Sequence, residues 1–106
     1  MYVRPEKVTA PAKKWQLDRV VIPGERGPNS AAWAIGYWRD EANKARRRIA
    51  MRWNGSKDKP LGNPASHGAA TWFMLDEKAH EQLLNYFESV VDEPAMTYIR
   101  TFFNAA

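Results

Sequence analysis

The apolar positions of this chain alternate first and become helical later. Residues 15–22, Trp-Gln-Leu-Asp-Arg-Val-Val-Ile, read as a strand with Trp15, Leu17, Arg19 and Val21 on one face. Pro23-Gly24 ends it, and residues 25–30 are turn material. In residues 31–39, Trp33, Ile35 and Tyr37 alternate with the small Ala34 and Gly36. Large side chains on one face and small ones on the other predict a second strand with one face toward the core. Residues 40–53 fit two patterns. Trp38, Ala42, Ala45, Ile49 and Trp53 could form a helical stripe with Asp40 as its cap. The alternative is a turn at 40–45 and a strand over 46–53, with Arg47, Ile49, Met51 and Trp53 on one face and Arg46, Arg48, Ala50 and Arg52 on the other. The hairpin is the better match, because a helix would have to begin directly after an aromatic strand.

Residues 54–70 carry Gly55, Pro60, Gly62, Pro64 and Gly68 and read as a long loop of the kind that is often functional or mobile. A short strand over 71–75 follows. Asp76 is placed as an N-cap, and Ala79, Leu83, Phe87 and Val90 make the apolar face of a helix running to about Val91. Pro94 cannot continue that helix. The tail, with Met96, Tyr98, Ile99, Phe102 and Phe103, is too apolar to float free and must pack on the domain or on another subunit. The order predicts an α+β fold: an antiparallel four-stranded sheet covered by one C-terminal amphipathic helix. Residues 1–14 are expected to be a flexible arm, and residues 15–106 a single domain ending in the apolar tail.

Composition narrows the class. At 106 residues the chain suits one domain, and 44% hydrophobic with 26% charged residues excludes disorder. No run of eighteen apolar residues exists and the N-terminus lacks the apolar core of a secretory signal, so a cytoplasmic location is expected. The absence of cysteine excludes disulfides, thiolate chemistry and cysteine-based zinc sites. The charge is uneven. Residues 1–53 hold 12 Lys+Arg against 5 Asp+Glu, net +7, and residues 54–106 hold 4 against 7, net −3. Such a split suggests a polyanionic partner or self-association through opposite charges.

Enzyme chemistry finds little footing. His67 lies in the long loop and His80 on the helix, without metal-ligand spacing; His80 reads as a surface residue and His67 as a plain loop residue. Ser66 beside His67 is no nucleophile–base pair, and no Gly-x-Ser-x-Gly elbow is present. The glycine-containing stretches match no phosphate-binding loop. Asp40-Glu41 and Asp92-Glu93 sit where caps and turns need carboxylates. No enzyme, cofactor or metal site is expected. Binding has better material. Arg46, Arg48 and Arg52 share a predicted face, Arg39 and Lys44 lie at the same hairpin, and Trp38 and Trp53 are the tryptophans expected to stay partly exposed. Cations that track phosphates beside flat rings that stack bases are what single-stranded nucleic acid requires. The other three tryptophans are expected in the core.

Three segments carry a resemblance: Ala34-Ile35-Gly36-Tyr37-Trp38-Arg39, Arg48-Ile49-Ala50-Met51-Arg52-Trp53, and Trp72-Phe73-Met74-Leu75-Asp76-Glu77 opening into the helix. Over residues 15–91 their order resembles the single-stranded DNA-binding domain of transcriptional positive cofactor four and its bacterial relatives. The resemblance implies a homodimer formed through the helix region, and nucleic acid, DNA or RNA, over the sheet's concave face, touched by Arg39, Arg46, Arg48, Arg52 and Trp53. A role in transcription or DNA maintenance would follow. The loop 54–70, with its prolines, is longer than the family's short Lys/Gly-rich connection, and the arm and tail are additions. Two other readings stay open: a small adaptor of a mobile element that binds a protein or itself through the apolar tail, and a ligand pocket lined by Trp and Met under the loop 54–70.

Overall fold

The computed structural model describes residues 3–24 and 30–104. The main sheet contains β1 (Trp15–Ile22), β2 (Ala31–Arg39) and β3 (Ala45–Trp53). A small hairpin, β4 (Ala65–Ser66) and β5 (Ala69–Ala70), precedes β6 (Phe73–Met74), which completes the four-stranded antiparallel sheet in the order β1-β2-β3-β6. The fold is thus α+β, and the hairpin reading of residues 40–53 is the one adopted. Nine consecutive pairs, from Ala31↔Trp53 to Arg39↔Ala45, join β2 to β3 without a break. That register sets Ala34 against Ala50 and Ile35 against Ile49, so small residues meet on one face and branched ones on the other.

Both faces are covered. On the large-residue face lie α1 (His80–Val90) and α2 (Glu93–Asn104), whose Leu84, Phe87, Met96, Ile99 and Phe102 close over Ile35 and Ile49. Phe87 meets Trp33 edge-on at 5.7 Å and Phe102 meets Tyr37 at 5.2 Å. Asp76 caps as expected, accepting from the Lys78 amide at 2.8 Å, but the turn it opens is a 3-10 helix, Glu77–Ala79, that leads into α1. The apolar tail is α2 itself. Met96, Ile99 and Phe102 fall on one helical face, the Asp92 carboxylate accepts from the Ala95 amide, and Pro94 is tolerated in the first turn. It packs on its own sheet, which therefore carries two C-terminal helices instead of one.

The opposite face is covered by the segments expected to be loose. Residues 3–14 are anchored on the sheet at several points: Pro5 and Val8 are buried, the Val3 amide donates to the Pro60 carbonyl, and the Trp72 indole donates to the Val8 carbonyl at 2.7 Å, while most of the other side chains are exposed. Trp15 lies across Gly36, where a Cβ would stand 2.7 Å from its Cη2. The fourth strand is shorter than the expected 71–75. Thr71 gives its carbonyl to Arg52 and Trp72 turns to the arm; Leu75 gives its carbonyl to Arg48 while its amide still donates to the Ile49 carbonyl, so Phe73 and Met74 are the paired residues of the strand. β1 is the long edge strand. Two register shifts and the charged Asp18-Arg19 pair break its edge, a common defence against edge-to-edge pairing. Among the described residues no helix is long and apolar enough to cross a membrane.

Candidate nucleic-acid interface

The pleat puts Arg46, Arg48 and Arg52 on the face away from the helices, as the alternation predicts. It then separates them by depth. Arg52 has 0% exposure. Its guanidinium donates to the Leu61, Thr71 and Pro64 carbonyls and lies 6.0 Å from the Trp72 ring. It fastens the loop 54–71 to the sheet, and burial lowers its pKa. Arg52 is therefore withdrawn from any nucleic-acid contact, because the loop closes over it. Arg48, 17% exposed in its side chain, donates to the Leu75 carbonyl through Nε and Nη2, with Glu77 3.9 Å from Nη1. It holds the lead-in to α1.

Arg46 is different. It pairs in register with Trp38 and its side chain is 53% exposed, with Asp40 at 3.2 Å and Glu77 at 3.7 Å. Exposed ion pairs of this kind contribute only ~0–1 kcal/mol and yield readily to a phosphate. The hairpin turn that presents it is built by Asp40, whose amide and carbonyl bond Lys44 and Asn43, while Asn43 takes a φ of 63°. The Lys44 amide and then Arg46 hold the Asp40 carboxyl below its ordinary value. Arg39 donates to the Asn43 carbonyl at 3.0 Å, and its amide bonds the Lys14 carbonyl at 2.8 Å. The turn over residues 11–14 is thereby tied to the end of β2.

Trp38 is half-buried in this setting, with the Lys14 ammonium 5.9 Å from its ring centroid. Lys13, Lys14, Arg39 and Lys44 have no carboxylate partner among the described residues, whereas Arg4, Arg46, Arg48 and Arg100 all do. These four lie at one end of the sheet, while Arg19, Lys57, Lys59 and Lys78, elsewhere in the fold, are also without a carboxylate partner among the described residues. Of the sequence-predicted set, Arg39, Lys44, Arg46 and Trp38 are brought together there. Arg48 and Arg52 are diverted to carbonyls. Trp53, 46% exposed as expected, projects from the opposite face, because it shares the odd-numbered phase of Ile49 and Met51. Two tryptophans are fully buried, Trp15 and Trp72, and Trp33 is half-buried, so the expected three core tryptophans become two and a partial one.

Lys13 and Lys14 were not among the residues picked from the sequence because their stretch shows no period; only the turn brings Lys14 to Trp38 and Lys13 to the end of β2. His80 also departs from expectation. Its ring sits 5.0 Å from Phe103 with a buried Nε2 that has no partner, and burial together with Arg48 holds its pKa below the ordinary value. His67 is exposed at the tip of the β4–β5 hairpin with a φ of 51°. Among the described residues no group of three or more His, Asp or Glu is placed to hold a metal ion. No protein-family model matches the chain, and neither a curated protein nor a solved structure is significantly similar to it.

Proposed function

We propose that the protein is a non-enzymatic single-stranded nucleic-acid-binding protein, DNA or RNA, and that its interface is the hairpin end of the sheet: Trp38 with Lys13, Lys14, Arg39, Lys44 and Arg46. One observation carries the reading. A half-buried indole stands beside the Lys14 ammonium, which has no carboxylate partner among the described residues, and pairs in register with the exposed Arg46. An unpaired base stacks on such a ring for ~1–3 kcal/mol, whereas a base inside a duplex has no free face to offer. The surrounding cations would follow the phosphates, so affinity falls steeply with salt. Enzymatic roles find no support in the placement of the two histidines and the paired carboxylates.

The test is fluorescence anisotropy with labelled single- and double-stranded oligonucleotides at two salt concentrations. Single strands bind more tightly, binding weakens as salt rises, and Trp emission is quenched. Reversing Lys13, Lys14 and Lys44 to Glu abolishes binding and leaves the circular dichroism spectrum unchanged. Binding that ignores salt and these changes removes the reading.

A second reading rests on a different surface. On the helix side of the sheet, Trp53 (46% exposed), Phe73 (49%) and Tyr86 (44%) remain open. Register sets Met51 against both Trp33 and Phe73, and Tyr86 lies 5.7 Å from Trp33, so these residues form one aromatic corner that α1 does not cover. Contiguous exposed apolar surface favours a protein partner or self-association as a homodimer. Sedimentation of the wild type and of a Trp53→Ser, Phe73→Ser variant separates the two: a dimer that the variant abolishes, in a protein that never binds oligonucleotide, makes this the primary function.

A further inference from the structure

Behind Trp38, where the turn 11–14 crosses the ends of β1 and β2, lies a half-enclosed cavity of about 90 Å³ lined mainly by polar atoms of Lys13, Lys14, Gln16, Tyr37, Arg39 and Ala45. No carboxylate lines it. The neighbouring Asp40 is engaged by the Lys44 amide and by Arg46. Three of the cations without a carboxylate partner therefore border one notch, which has room for a few waters or one tetrahedral oxyanion and none for a base. Tyr37 and Arg39 point to the helix side of the sheet and Trp38 to the other, so the notch and the indole lie on opposite faces at the sheet's end. Lys14 connects them: it lines the notch, and its ammonium stands 5.9 Å from the Trp38 ring.

We propose that this notch is a phosphate-binding site. The Arg39 guanidinium and the Lys13 ammonium, neither with a carboxylate partner among the described residues, gain charge-assisted hydrogen bonds from a phosphate oxyanion. The site accepts free phosphate on its own account. Its occupation by a backbone phosphate next to the base on Trp38, with the strand bending around the end of the sheet through Lys14, rests on the nucleic-acid reading above.

The experiment is an amide NMR titration of the full ¹⁵N-labelled chain with inorganic phosphate, against sodium chloride at matched ionic strength. Saturable shifts confined to residues 13–16, 37–39 and 45 are expected, and they vanish in a Lys13→Gln, Arg39→Gln variant whose remaining spectrum is unchanged. Shifts that never saturate, that spread equally to Lys57 and Lys59, or that persist in the variant overturn the site. If the double variant unfolds, Lys13→Gln alone, at an exposed position, is titrated with the same expectation of weakened saturable shifts. A second arm uses a single-stranded oligonucleotide. The variant lowers the slope of log affinity against log salt by about 0.7, the contribution of one phosphate on a single strand. Oligonucleotide binding with an unchanged slope removes the backbone phosphate from the notch and leaves the nucleic-acid reading standing. Phosphate seated in a protein that binds no oligonucleotide keeps the notch and removes that reading.

Discussion

Arg46 and Arg52 lie six residues apart on one face of β3, and the ends of the strand give them opposite tasks. At the Arg52 end the arm and the loop 54–71 form a third layer, and the guanidinium faces three carbonyls with no water to compete. At the Arg46 end that layer is missing, and the side chain is half exposed beside Trp38. Arg48 stands between them in both position and depth. Residue type and strand phase are the same in all three; the covering layer alone differs. A cation under a layer organises backbone, and a cation beyond it is available to an outside anion.

The contrast can be broken first at the buried end. Arg52→Ala leaves the Leu61 and Thr71 carbonyls without this donor and the Pro64 carbonyl with the Thr71 amide alone, and buried groups left unmatched cost about 1–3 kcal/mol each. A loss of about 3–5 kcal/mol is expected in urea denaturation, with proteolytic nicking within residues 54–71. Arg52→Lys recovers little of it, because an ammonium lacks the fork that spans separate carbonyls. A wild-type midpoint for Arg52→Ala would end the comparison. Arg48→Ala comes next, at about 1.5–3 kcal/mol for a charge-assisted bond to the Leu75 carbonyl, and it frees the start of α1 to faster amide exchange.

His80 sharpens the middle of the series. Burial and the nearby Arg48 keep its folded-state pKa below the ordinary 6.5, while Glu77 and Asp76 act weakly the other way. The unfolded chain therefore takes up a proton that the folded chain refuses. Stability falls as pH drops through 6.5 toward the folded value and levels off beneath it. Denaturation midpoints measured from pH 7.5 to 5.5 follow this fall in the wild type and lose it in His80→Phe, which keeps the ring against Phe103. The smallest effect on stability belongs to the exposed end. Arg46→Ala shifts the midpoint by less than about 0.5 kcal/mol, as expected of exposed ion pairs. It weakens single-stranded oligonucleotide binding all the same and reduces the salt slope by about 0.7. A large loss of stability there, with no change in binding, would make Arg46 a second Arg52.

Strand phase was readable in β2 and β3 because it depends on neighbours two residues apart, but in β1 the register shifts after Leu17 and Val20 carry Arg19 and Val21 to the helix side, away from Trp15 and Leu17. The bounds of Trp15–Ile22 and Ala31–Arg39 were legible from Pro23-Gly24 and from the run of large and small residues, and Ala45–Trp53 was read from its alternation, one residue short at its start. Asp76 was legible as a cap because capping is also local. The role of Asn54 was not. It is buried and donates to the Pro23 carbonyl at 3.0 Å, a partner thirty-one residues away that no turn rule contains. The arm was misjudged for a related reason: Val3, Pro5 and Val8 show no period, since they fill gaps beneath Trp72 and the loop rather than forming an element of their own.

The sequence by itself determined that three strands alternate, that a capped amphipathic helix follows them, and that three arginines of β3 share a face. Those features arise from backbone geometry and side-chain period, which act over a few residues. Only the tertiary structure decided which of the arginines meets water. That choice depends on where the arm and the loop 54–71 come to rest, through contacts such as Trp72 to Val8 and Arg52 to Leu61 that join segments far apart in the chain. Burial depends on every layer packed against a residue, and a one-dimensional pattern records the side chain but not what is laid over it.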